Sequence, residues 1–385
     1  MKKVLATILA LVMALGLTTY AWADTGVDCA GGEACTHAAE FNGKHYNHLV
    51  DAYAALTRGT TKPTTAQVIT LLRDSSGGGI GSDADTNMNY VIDFGGHTYT
   101  VGAPAVGSTG TVSQGLRVLQ TSTAKFMNGT LKAANYNGLA QVVHTYGDVT
   151  FENFNVDARE NSYAQIAVEP DCGTLNITGN SSILAREGKT GLYVAFWHIG
   201  TYNGTTVNVN TTGKITGKLV YEFDEDMTGD AAATENKAVL NIDNGNFEIT
   251  GIQTLFSGVA NEALKEAKIE VSGGTFSTDV TEYLAEGKIL QKNGDTYTAV
   301  TNSGITSGTY TSEPTVPSGY KATKNDDGTW TVSKVSYYYY QPTTDTKTTD
   351  TKGSPKTFDA GIALYVGMAL TSAAGVAFVG KKRED

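Results

Sequence analysis

Charge is scarce in this chain. Only 17% of its 385 residues are Asp, Glu, Lys or Arg, against a typical share of ~25%. The little there is leans acidic, with 39 acidic against 28 basic residues and a formal charge of −11. So few cations could not neutralise a phosphate backbone, which excludes nucleic acid as a partner. High charge and few aromatics mark intrinsic disorder, and with 20 Tyr and 12 Phe this chain has neither. Cysteine is nearly missing: Cys29, Cys35 and Cys172 are all there is, so at least one has no disulfide partner within the chain. Proline stands at 7. What is plentiful is Gly, at 44, together with Tyr and Thr. Thr and Tyr favour strands, which argues against a helical bundle.

The two ends carry addresses. Lys2 and Lys3 precede an apolar run, Val4 to Leu17, too short to cross a bilayer, and Ala21-Trp22-Ala23 supplies a small-x-small cleavage pattern. Residues 1–23 therefore read as a secretory signal cleaved after Ala23. Ala360 to Gly380 is a second apolar segment with no charge, long enough as a helix for the ~30 Å hydrocarbon core. Lys381, Lys382 and Arg383 follow it and place the extreme C-terminus in the cytoplasm. Just ahead stands Ser354-Pro355-Lys356-Thr357-Phe358. A Pro-x-Thr motif, an apolar span and a basic tail resemble the sorting signal of Gram-positive wall proteins. That resemblance implies a sortase that cuts after Thr357 and joins it to the envelope, with Pro355 as the second matching position. Ser354 stands where Leu is usual and Phe358 where Gly is usual. The competing reading is a plain membrane tail anchor. Both leave the bulk of the chain outside the cell, and loss of Lys2 and Lys3 takes its formal charge from −11 to −13. The Thr-rich segment within 336–353 has no packing surface and reads as an extended spacer.

Between the ends one pattern recurs, a short alternating strand, then Asn or Gly, then another strand. It runs through Lys125-Phe-Met-Asn-Gly-Thr-Leu131, Val149-Thr-Phe-Glu-Asn-Phe-Asn-Val156, Thr174-Leu-Asn-Ile-Thr178, Thr206-Val-Asn-Val-Asn210 and Val239-Leu-Asn-Ile-Asp243. The interval of about 24 to 32 residues is that of a repeat array. The expected fold is all-β, a right-handed parallel β-helix over residues 76–270, with an aligned β-sandwich as the alternative. Asn tolerates left-handed turns and can bond its equivalent one turn away, so Asn128, Asn153 and Asn244 are expected to form a ladder.

Val91-Ile-Asp-Phe-Gly-Gly-His97 followed by Thr98-Tyr-Thr-Val101 resembles the opening rung of pectate-lyase-like β-helix surface proteins from Gram-positive bacteria. The resemblance implies that residues 24–75 form a cap of strand, short helix at about Leu49 to Leu56, and strand. Residues 271–335 align as two small β repeats, Gly274 with Gly308, Phe276 with Tyr310, Gly287 with Gly319 and Tyr297 with Trp330. They are expected to close the far end.

Chemistry is sparse. The Asn-Thr-Asp, Asp-Asp and Gly-His-Gly set of β-helix glycosidases is not assembled, since Asp326-Asp327 sits in a turn. Glu222, Asp224 and Asp226 are hard oxygen donors at alternate positions and the weak candidates for Ca²⁺, but without the glycine of a calcium loop they read better as a solvated acidic loop. No cofactor is otherwise expected. Cys29, Cys35, His37, His45 and His48 invite a zinc reading, but Cys-x5-Cys-x-His-x7-His matches no common site and an exported pair tends to oxidise. A Cys29–Cys35 disulfide is the expectation, with Cys172 buried. His97, His144 and His198 sit singly in strand-like segments and read as surface or core residues rather than catalysts. Tyr193, Trp197 and Tyr202 are candidates for a ligand surface through their ring faces. The resulting expectation is a non-enzymatic, adhesin-like or structural protein anchored at the cell envelope, meeting a glycan or host-surface ligand. The alternative is a wall-attached polysaccharide lyase or glycosidase.

Overall fold

The computed structural model describes residues 26–29, 35–82, 85–108, 111–196, 204–224, 236–259 and 261–336. The leader with Ala21 and Ala23, Trp197, Tyr202, Asp226, the spacer, Pro355, Thr357 and the apolar segment 360–380 lie outside them. Among the described residues no helix is long and apolar enough to cross a membrane.

The body is a β-solenoid of about six turns. Each full turn contributes a strand to each of three parallel sheets. The first sheet stacks β3 (Gln67–Leu71), β5 (Asn89–Asp93), β8 (Thr123–Ala133), β10 (Asp148–Asp157), β12 (Gly173–Gly179), β15 (Thr205–Asp224), β16 (Ala238–Ser257) and β17 (Lys268–Val271). The second runs through β4 (Ser75–Gly77), β6 (Thr98–Val101), the later halves of β8 and β10, β13 (Ser182–Leu184), the middles of β15 and β16, and β18 (Thr275–Phe276). The third joins β7 (Gln114–Val118), β9 (Gln141–Thr145), β11 (Ile166–Pro170), β14 (Thr190–Phe196) and the ends of β15 and β16. This parallel pairing disposes of the β-sandwich, whose sheets are antiparallel.

Alternation within each strand sends every second side chain inward, and parallel register stacks equivalents into columns. One column reads Ile69, Ile92, Phe126, Phe151, Ile177, Val209, Ile242, Val271, every member fully buried. A buried side chain of this size contributes roughly 1.5–3 kcal/mol by leaving water. The columns merge into one core from Ala39 to Ala299.

The expected Asn ladder is divided between two places. Asn128 and Asn153 stand one above the other at the corner between the first two sheets, with φ of 54° and 52°. On the next turn Gly179 takes the left-handed position, where a Cβ would meet Asn153 Oδ1 at 2.3 Å. Asn244 does not join them. It pairs with Asn210 and its Oδ1 accepts from Gly245 N at 3.0 Å. Amide-to-amide bonding occurs instead on the outer face of the first sheet, where Asn241 donates to Asn208 and Asn208 to Asn176, both at 2.8 Å.

Antiparallel elements close both ends. β1 (Ala39–Phe41) and β2 (Lys44–Tyr46) turn through Asn42 and Gly43, both with positive φ, the Asn-Gly pair that a tight hairpin favours. β1 pairs antiparallel with β3, and α1 (Leu49–Ala54) buries Leu49, Ala52 and Tyr53. Tyr53 donates to Asp85 Oδ2 at 2.9 Å while Arg58 Nε meets Asp85 Oδ1 at 2.7 Å. At the other end β18 pairs antiparallel with β20 (Thr296–Thr301), and β21 (Gly308–Tyr310) with β23 (Trp330–Lys334). Phe276 faces Tyr297 in the first pairing and Tyr310 faces Trp330 in the second. The aligned glycines agree, at φ 98° and 114° for Gly274 and Gly308 and 75° and 87° for Gly287 and Gly319. A small separate core of Ile289, Ile305, Tyr310 and Val332 joins the two repeats.

Phe151 packs its ring on Phe126 in the column and on Phe154 beyond the corner. Phe151→Ala is expected to cost about 3–5 kcal/mol in urea denaturation, whereas Val68→Thr, at a half-exposed position, is expected to leave the midpoint within error.

Candidate active site

The third sheet carries a column that breaks the usual rule for outward residues. Arg117 on β7, His144 on β9 and Glu169 on β11 stack in register, between strand neighbours that point into the core. Yet all three are buried, with His144 and Glu169 only 3% and 4% exposed. Asp171, just past β11, is wholly buried and accepts from His144 Nε2 at 2.6 Å. On the ring's other side the Gln114 amide lies 2.7 Å from His144 Nδ1. Tyr146 packs its ring 4.5 Å from that of His144, and the Arg117 guanidinium lies 5.8 Å from the Tyr146 centroid. Arg117 Nη2 also donates to Ser108 Oγ at 2.7 Å.

Electrostatics set the protonation states. Burial alone would push His144 down. The hydrogen bond to Asp171 and the charges of Asp171 and Glu169 outweigh it, so its proton affinity is raised. Burial, with the Asp171 charge adding to it, pushes Glu169 up to about 7. Glu169 Oε2, Asp171 Oδ1 and Gln114 Oε1 have no hydrogen-bond partner among the described residues. The ligand atoms of His144, Glu169 and Asp171 all lie within 4.8 Å of one another, a donor set that fits a divalent cation as well as a shared proton.

Two residues singled out separately in the sequence meet beside this column. Tyr193 donates its hydroxyl to Glu222, and Ser257 Oγ donates to Glu222 Oε1 at 2.6 Å. Glu222 is thus a buried, bonded carboxylate and not part of a solvated acidic loop. Asp224 closes β15. Cys172 is buried. Cys29 and Cys35 are free thiols whose sulfurs lie 3.2 Å apart, beside His37 and His45. Contacts to His45, Cys29 and His37 pull the Cys35 thiol down to about 6.

Sequence analysis named His144 without a partner and passed over Glu169 and Asp171, because the histidine and the carboxylates are brought together only by the winding of the chain. His144 and Asp171 are 27 residues apart, one turn of the solenoid. The available signal was a charged residue at the same place in successive strands, Leu116-Arg117, Val143-His144 and Val168-Glu169.

A second feature opens beside the column. Gly147, Gly173 and Gly204 follow one another on successive turns, and a Cβ on Gly173 would meet Gly147 O at 2.6 Å. This bare strip floors an open cleft of about 340 Å³ flanked by Tyr146, Asp148, Thr174, Thr206 and Lys237. No known protein family, no curated protein and no solved structure matches the chain.

A carboxyl with a raised folded pKa binds more protons folded than unfolded between its two values. Glu169 therefore weakens the fold as pH climbs from its ordinary 4.5 towards about 7, and the raised His144 acts in the same direction above its ordinary 6.5. The melting temperature is expected to fall between pH 5 and pH 8, and Glu169→Gln to flatten that slope, as read by thermal denaturation across the range.

Proposed function

We propose that this protein is an exported, surface-displayed β-helix that binds a glycan without catalysis, held at a Gram-positive envelope by its C-terminal sorting signal. The single observation that carries the binding reading is the glycine-floored cleft. Sugars dock where hydrogen-bonding groups converge on an open cleft, and this one sets Asp148, Thr174, Thr206 and Lys237 beside the Tyr146 side chain. Its volume falls at the low end of ligand-sized sites, ~300–1,000 Å³. The address rests on the leader ending at Ala21 and Ala23, the basic tail, and Pro355 and Thr357, with residues 360–380 as the membrane helix. The turns are taken to wind right-handed, the hand that parallel crossovers favour. A capped rod of this kind suits display, because the stacked turns hold the cleft on a rigid face.

The test is a glycan, mucin and host-surface-protein array probed with the purified chain. Binding is expected, and Thr206→Trp, which fills the cleft from an outward position, is expected to lower it at least tenfold while leaving circular dichroism unchanged. Silence across the array, or equal binding by the variant, sinks the reading. For the address, Thr357→Ala is expected to move the protein from the wall fraction to the membrane or medium.

The buried His144, Glu169 and Asp171 favour a second reading, a polysaccharide lyase or glycosidase, since a carboxyl titrating near neutrality suits acid–base work. Product release from a polysaccharide panel, abolished by Glu169→Gln, would establish it. The burial of all three groups, which denies a substrate contact with them, places it second.

A further inference from the structure

Away from the cleft, four soft donors converge at the capped end of the solenoid. Cys29 Sγ, Cys35 Sγ, His37 Nδ1 and His45 Nδ1 all lie within 4.8 Å of one another. Cys29 Sγ is 3.2 Å from His37 Nδ1, and Cys35 Sγ is 3.3 Å from His37 Nδ1 and 2.9 Å from His45 Nδ1. The two sulfurs are 3.2 Å apart, well beyond the ~2.05 Å of a disulfide. Donors held by one tetrahedral zinc at ~2.3 Å for sulfur and ~2.0 Å for nitrogen lie about 3–4 Å from each other. A disulfide would account for one of these contacts, whereas a shared ion accounts for all four.

We propose that Cys29, Cys35, His37 and His45 form a structural zinc site that pins the N-terminal segment to the cap. Two thiolates and two imidazoles are the set tetrahedral Zn²⁺ prefers, and they offer no oxygen for calcium or magnesium. Four protein donors leave no open position, so the role is structural and not catalytic. The unfamiliar spacing has a geometric cause. The Asn42-Gly43 hairpin brings His45 of β2 opposite Glu40 of β1, and Val27 exchanges backbone hydrogen bonds with His45 at 2.9 and 2.8 Å, carrying Cys29 alongside. Arg73 holds the carbonyls of Cys35 and His37 from beyond β3. The ion would thus bridge the segment at Val27, the approach to β1, and β2.

The test is metal analysis of the full chain purified without added metal, with thiol counting and intact mass on the same sample. One zinc per chain with free Cys29 and Cys35 is expected. Replacement by cobalt is expected to show a thiolate charge-transfer band and the intense visible bands of a tetrahedral site. Cys35→Ser and His45→Ala should each lose the metal, Cys172→Ser should keep it, and a chelator should lower the melting temperature and expose residues 35–46 to protease. A Cys29–Cys35 disulfide in the isolated chain, substoichiometric zinc, or zinc kept by both ligand variants would overturn the proposal.

Discussion

Everything in this molecule depends on keeping parallel strands in register from one turn to the next. The hydrogen bonds of each turn are satisfied by its neighbours, and the same register drops Ile69, Ile92, Phe126 and Phe151 onto one another. A slip of one residue in any strand would turn a whole column outward. The corners prevent it. Asn128 and Asn153 take left-handed backbone at the same place, and Gly179 follows where a side chain would strike Asn153. The corner thus fixes the phase and the core supplies the energy.

The sequence made the fold legible because its information is local. Alternating apolar residues around Asn or Gly, repeated at near-constant spacing, specify a turn that cannot bury itself and must stack. The paired end repeats were readable for the same reason: Phe276 with Tyr297 and Tyr310 with Trp330 make the same cross-strand contact twice. Asn244 was misplaced because an Asn before Gly looks alike whether it bends the chain or only caps a bulge. The apolar-Asn-apolar triplets around Asn176, Asn208 and Asn241 held the true amide ladder.

Sites whose parts lie far apart in sequence were not legible, and proximity alone does not decide the chemistry of the one whose parts lie close. Cys29, Cys35, His37 and His45 lie within one short stretch, but their convergence depends on a hairpin that spacing rules do not encode. His144 and Asp171 meet across a full turn, so no window along the chain holds both. Their network also shows how the solenoid tolerates charge at depth. Asp171 has an imidazole to hold it, and burial raises the proton affinity of Glu169, which lightens its desolvation cost.

The ends of the solenoid carry a consequence of a different kind. A stack of parallel turns has two identical-looking open faces, and any copy of the same stack could add to either one. Here the first face is met by β1 running the opposite way and the last by β20. A copy of the same stack needs a parallel edge to continue its register, and at these two edges it meets strands that run the other way.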